Sequence, residues 1–222
     1  MSGRASDPPD AGWRDATRAL PSGHPVWPGD APFALRPTAR IPDGSSVNLS
    51  SLSGSVHLGT HLDAPWHVRE DGAPVESVPL EAMIGDAVLV DVAAGRGAIG
   101  PDELPAGPWP PRVLFRTGQP DRWTAFPTEI RPIAPDTVAR LADGGVRLIG
   151  TDAPSVDPLD DATLRAHHAC FGAGVAIVEG LALERLSAGP YELICLPLAL
   201  VGTDAAPARA VVRPRDADRR RT

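Results

Sequence analysis

Cysteine is scarce in this 222-residue chain, which has only Cys170 and Cys195. Both stand among apolar neighbours, so they read as buried thiols of a reducing compartment rather than a disulfide framework. The cytoplasm is the expected location. Long apolar runs are missing too. No stretch approaches the ~18 residues that span a bilayer, and the opening MSGRASDPPDAGWRD lacks the apolar core of a secretory signal. Positive charge is also short, with a formal net charge of −7. A general nucleic-acid binder needs a basic footprint, so neither nucleic acid nor membrane is an expected partner. The basic tail RPRDADRRRT (213–222) is the exception, and it reads as a solvated terminus. No internal repeat or linker divides the chain.

What is present is an ordinary globular balance, 42% hydrophobic and 22% charged, with 26 prolines and 22 glycines. Such a density of turn residues argues for short elements and against a helix bundle. Residues 1–23 read as a flexible start, 24–213 as one domain and 214–222 as a flexible tail. Short apolar runs bounded by Gly, Pro or Asp predict strands at 86–92, 112–116, 146–151, 175–181, 191–197 and 208–212. The segment 21–33 reads as loop, with a turn at Pro28-Gly29-Asp30. Two helices are expected. PDTVARLADGG starts at Pro135 and stops at Gly144; DDATLRAHHACF is expected to be capped by Asp160 or Asp161. The fold class is α/β, a mixed, strand-rich single domain with few helices.

Three of the six histidines fall within HLGTHLDAPWH: His57, His61 and His67, with Asp63 between them. On a helix, at about 100° per residue, His57 and His61 would face away from Asp63 and His67, and Gly59 and Pro65 disfavour a helix. In an extended chain all four odd-numbered residues share one side, and Val56, Leu58, Thr60 and Leu62 form the other. Over four residues at ~3.3 Å each, two imidazoles converge only if the chain bends, and Gly59 is the place for a bend. Pro65 is expected to release His67 onto a loop beside the other three. Three imidazoles and a carboxylate on one side point to metal or proton-transfer chemistry.

More donors must come from elsewhere. Glu179 is the only charged residue of VAIVEGL, and either a cation or a salt bridge would offset its burial. His167 and His168 precede it, and adjacent helical residues diverge by about 100°, so one of the two is expected to be a ligand. On residues alone, Trp27 reads as packing at a Pro-rich turn. Asp152 and Arg116 stay outside the candidate set.

HLGTHLDAPWH resembles the H-x-G-T-H-x-D-x-P-x-H motif of the cyclase family of metal-dependent amidohydrolases. The likeness extends through PVWPGDAPF, VRLIGTDAPSVDP, AHHACFGAGVAIVEGLAL and YELICLPLALVGTDAAPARAVVR, and the last two segments point to its kynurenine formamidase (arylformamidase) branch. It implies a swivelling β/α or barrel-like sheet core, a catalytic domain over 24–213 and a homodimer. It also implies two divalent ions per subunit, zinc or else manganese, and hydrolysis of N-formyl-L-kynurenine to L-kynurenine and formate in tryptophan degradation. By motif, His57, His61 and Asp63 hold one ion and His167 the second, with Asp63 and Glu179 bridging. His67 is then the acid/base and Trp27 the substrate contact. Members begin with a short strand near Asp-Ile-Ser or Asp-Leu-Thr; here DATRAL (15–20) stands in that place. Two rival readings are an isatin hydrolase-like activity and a non-haem iron oxygenase using His61, Asp63 and His167.

Overall fold

The computed structural model describes residues 12–215; the start 1–11 and the tail 216–222, both read as flexible, lie outside the described residues. Each apolar run of the sequence forms a strand. In chain order the elements are β1 (Arg14–Asp15), β2 (Ala34–Ala39), β3 (Leu49–Ser53), β4 (His61–Asp63), α1 (Leu80–Met83), β5 (Ile84–Asp91), β6 (Arg112–Arg116), α2 (Pro135–Asp143), β7 (Leu148–Thr151), α3 (Arg165–Gly172), β8 (Ala176–Glu179), β9 (Gly189–Pro197) and β10 (Ala205–Pro214). The strand-rich α/β expectation with few helices holds.

The sheet closes on itself. Strand order runs β10-β4-β8-β7-β6-β5-β9, and β9 pairs back onto β10, so seven strands make a mixed barrel. β5 to β8 run parallel, joined by crossovers, while β4, β9 and β10 pair antiparallel. Closure leaves these strands no free edge. Alternation then sorts side chains into two cores. Leu62, Leu89, Leu114, Leu148, Val178, Leu193 and Ala206 fill the interior. Val113, Phe115, Ile149 and Ile177 face outward and pack under α2 and α3 through Val138, Leu141, Cys170 and Phe171. Both cysteines are free and buried.

Two parts of the fold depart from the sequence pattern. Residues 14–17, inside the segment that composition marks as a loose start, bond to β10 through the pairs Arg14–Val212 and Asp15–Val211 and through Ala16 and Thr17 to the Ala210 carbonyl. There Arg18 is buried among carbonyls: its guanidinium donates to Gly180, Leu181, Asp152 and Pro120. A lone cation satisfied by backbone oxygens has no hydropathy signature. The second departure is the hairpin of β2 and β3, which presents exposed Leu35, Leu49 and Leu52.

The cap of α3 is a correction. The helix starts at Arg165, after Leu164 in the left-handed region at φ 46°, and neither Asp160 nor Asp161 caps it. Asp157 accepts instead from the N–H groups of Ala166 and His167, at 2.7 and 3.0 Å. Asp161 is occupied in a local turn, accepting from Thr163 N–H.

Candidate metal centre

β4 is three residues long and lies between β8 and β10, which puts His61 opposite Glu179 and Asp63 opposite Ile177. Leu62 points into the barrel, so His61 and Asp63 point outward beneath α3. The expected strand parity therefore holds at 61–63 but does not extend back to His57. At Gly59 the chain takes φ +58°, the expected bend, and His57 returns toward Asp63 from a loop. The bend is tightly fitted: a Cβ on Gly180 would lie 2.0 Å from the Gly59 carbonyl oxygen.

Asp63 is the hub. Its Oδ1 lies 3.1 Å from His57 Nδ1 and 3.3 Å from His61 Nε2, and its Oδ2 lies 3.4 Å from His167 Nε2. Glu179 spans the same pair of imidazoles, Oε2 at 3.5 Å from His61 Nε2 and Oε1 at 3.4 Å from His167 Nε2. Of the adjacent histidines, His167 is buried in the cluster and His168 is exposed. His67, at the end of a short 3₁₀ turn begun by Pro65, is not held apart: its ring centroid is 4.2 Å from that of His57. Two donor groups could each hold a cation, His57-Asp63-His67 and His61-Asp63-Glu179.

Burial without partners tests whether the cluster fits a metal. His61 Nε2, His167 Nε2 and both Asp63 carboxylate oxygens are buried with no hydrogen-bond partner. Orphaned buried polar atoms of this kind each cost about 1–3 kcal/mol, and here all four converge. Imidazoles and carboxylates are the donors that zinc and manganese take, so the residues fit a divalent ion.

Charge tells the same story. Burial would lower the His57 imidazole, yet Asp63 and Asp204 outweigh it and raise it to about 9. Burial likewise opposes a charged His167, but Asp157, Asp63 and Glu179 raise it well above the ordinary range. Asp63 would be raised by burial; His61, His167 and His57 hold it well below the usual carboxylate range instead. Without a cation these carboxylates favour protons on His57 and His167, and a bound metal would have to displace them. His67 runs the other way: burial, helped by His57 and His167, outweighs Asp63 and Glu179 and lowers it.

Two carboxylates that sequence reasoning passed over orient these rings. Asp157 Oδ2 lies 2.7 Å from His167 Nδ1, turning Nε2 toward the cluster. Asp204 Oδ2 lies 2.8 Å from His57 Nε2 and 3.4 Å from His67 Nδ1. Both stand in turn-like DP and TDA contexts, which carry no signal of their own. Asp152 and Arg116 are elsewhere: Asp152 accepts from Thr117, Gly118 and Gln119, and Arg116 pairs with Asp91.

The cluster opens into a cavity of about 320 Å³ walled by Trp27, Trp123, Phe126, Pro154 and Leu164. Trp27 meets Phe126 edge-on at 5.3 Å, and buried His24 stacks on Trp123 at 5.9 Å. Burial, with the nearby Arg18 charge, lowers His24 from 6.5 to about 4. Between those values the unfolded chain binds a proton that the native chain refuses. Stability is therefore lost as pH falls from 6.5 toward 4, by up to about 1.4 kcal/mol per pH unit for one group. His24→Phe, which keeps the stack but cannot protonate, is expected to flatten the fall in melting temperature across that window. An unchanged slope would assign the effect to other groups.

Residues 15–158 match the family described as "Putative cyclase". A kynurenine formamidase of Salinibacter ruber is 47% identical over 206 residues, covering 90% of this chain and 96% of its own. A solved structure described as a potential metal-dependent hydrolase with cyclase activity superposes with a TM-score of 0.75 at 31% identity, over 92% of this chain and 98% of its own. Isatin hydrolase A from Labrenzia aggregata shares the fold at a TM-score of 0.77 and 24% identity, covering 92% of this chain and 94% of its own. With its motif residues gathered in one cluster and relatives aligned along nearly its full length, the chain belongs to the cyclase family.

Proposed function

We propose that residues 24–213 form a hydrolase that cleaves the formamide bond of N-formyl-L-kynurenine, giving L-kynurenine and formate. The convergence of His57, His61, Asp63, His167 and Glu179 beside an aromatic-walled cavity carries this reading. The substrate follows from the formamidase name of a relative 47% identical to this chain. A facial triad of His61, Asp63 and His167 would leave Glu179 and His57 without a role, which disfavours the oxygenase reading. The likeness to isatin hydrolase is one of fold alone and does not extend to substrate.

His57, His61 and Asp63 would hold one divalent ion and His167 the other, with Asp63 and Glu179 shared between them. Zinc suits these donors, and manganese is the alternative. Such ions, when bound, supply Lewis acidity and a water of lowered pKa. The rest falls to the chain. Trp27 and Phe126 hold the aminophenyl ring against the cavity wall. Asp204, near His67 Nδ1, orients that ring so that Nε2 serves the reacting bond. His67, held low by burial, starts neutral, takes a proton from the attacking water and returns it to the aryl nitrogen as the C–N bond breaks. The nitrogen leaves as an amine, and the formyl carbon, having gained the water's O–H, leaves as formic acid, which gives its proton to solvent to become formate.

A homodimer is part of the same proposal, supported by the exposed apolar side chains of the β2–β3 hairpin, Leu49 and Leu52 among them, with Ile41 and Val47 on its connection. The expected site of action is the cytoplasm, in keeping with two unpaired buried thiols. Among the described residues no helix is long and apolar enough to cross a membrane.

Formate release from N-formyl-L-kynurenine by metal-analysed protein tests the reading. Chelation is expected to abolish turnover and lower the melting temperature, and added zinc or manganese to restore both. Full activity in metal-free protein would overturn it.

A further inference from the structure

The cavity's charge is one-sided. Apart from the histidines and Glu179 of the cluster, Asp30 is the only charged residue lining it among the described residues. No arginine lines it, and the chain contains no lysine. Asp30 is half-buried, and its carboxylate has no hydrogen-bond or ion-pair partner among the described residues. Its place is nonetheless defined: Asp30 N–H donates to the Trp27 carbonyl at 3.0 Å, closing a turn that carries both side chains.

A second unsatisfied group belongs to the same wall. Trp123 lines the cavity at 6% exposure, and its Nε1–H is buried without an acceptor. The Arg18 guanidinium carbon sits 3.7 Å from the Trp123 ring centroid. A cation on that face draws density from the indole and strengthens the N–H as a donor. The wall thus offers one unpaired anion at its surface and, just behind it, one unpaired donor that a small turn of the indole would present to a ligand. Neutral cyclic amides have no cation for the first.

We infer that Asp30 and Trp123 form a subsite for an α-amino-acid group on the substrate, Asp30 accepting from its ammonium and Trp123 Nε1–H donating to its carboxylate. This rests on the hydrolase reading above and assigns recognition of the amino-acid end of that substrate to two residues of the cavity wall. The metal cluster acts on the formyl end, and the subsite selects the other end. Asp30 is partly solvated, so the contact is expected to contribute about tenfold, below the range for fully buried charged hydrogen bonds.

The test compares N-formyl-L-kynurenine with its deamino analogue, in which hydrogen replaces the amino group, and with 2-formamidoacetophenone, which lacks the carboxylate as well. The wild-type enzyme is expected to favour the first over the second in kcat/KM. Asp30→Asn is expected to reduce that ratio about tenfold through KM, at unchanged metal content. Trp123→Phe, which keeps an aromatic ring but no N–H, is expected to reduce the ratio of the second substrate to the third. A wild-type enzyme indifferent to the amino group, or an Asp30→Asn ratio equal to the wild-type one, overturns the Asp30 assignment. An unchanged second ratio in Trp123→Phe overturns that of Trp123. If the wild-type enzyme releases no formate from N-formyl-L-kynurenine, the hydrolase reading fails first and the subsite falls with it.

Discussion

Glu179→Gln is expected to leave a folded chain that has lost bound metal and at least ~10³-fold of its turnover. Its size matches the original, so the strand β8 and the barrel interior behind it need not repack. The amide oxygen can still accept from Val156 N–H, a bond Glu179 Oε1 makes at 2.7 Å. What disappears is the charge that faces His61 and His167 together. A bridging carboxylate is held by both ions, and losing it is expected to cost more than the 10–100-fold typical of residues that merely orient ligands. Elemental analysis reads the metal and circular dichroism the fold. Retention of both metal and turnover in Glu179→Gln would falsify the bridging role.

His67→Ala is the complementary case. Turnover is expected to fall about 10²- to 10⁴-fold, the usual contribution of a positioned acid/base, while metal content stays at the wild-type level. Added imidazole, small enough to enter the vacated space, is expected to restore part of the rate. The limb of the pH–rate profile that reports His67 should vanish with the side chain. Geometry makes this variant decisive, because His57, Asp63 and His67 could also hold a cation among them. Loss of metal together with activity in His67→Ala would move His67 from acid/base to ligand.

Much of the barrel was legible because its strands are buried on both faces, which produces short continuous apolar runs between turn residues. RVLFR and VAIVEGL need no tertiary knowledge to be read as strands. Closure was not legible: nothing in YELICLP says that it pairs with β5 on one edge and β10 on the other. The hairpin β2–β3 escaped because LSSLS has little apolar alternation and is exposed throughout. In the site, parity identified the outward face of His61 and Asp63 but reached no further than the three residues of β4. His57 comes back through the Gly59 bend, a conformation that a glycine permits without announcing. Asp157 and Asp204 were invisible for a different reason. Each is an ordinary turn aspartate in sequence and acquires its role only when the fold sets a histidine ring beside it.

The pairing of β10 with both β4 and β9 has a consequence for biosynthesis. The strand that carries His61 and Asp63 finds one neighbour, β8, more than a hundred residues downstream and the other, β10, later still. Until His167 and Glu179 have been translated, the HLGTHLDAPWH stretch can offer only its own imidazoles and Asp63 to a passing ion. The donors are complete in sequence once Glu179 has emerged, but β4 gains its second neighbour only when β10 follows and the seam shuts. The candidate metal centre is thereby expected to take its final form late in the domain's synthesis, and a chain stalled before β10 would lack the strand that holds one side of β4.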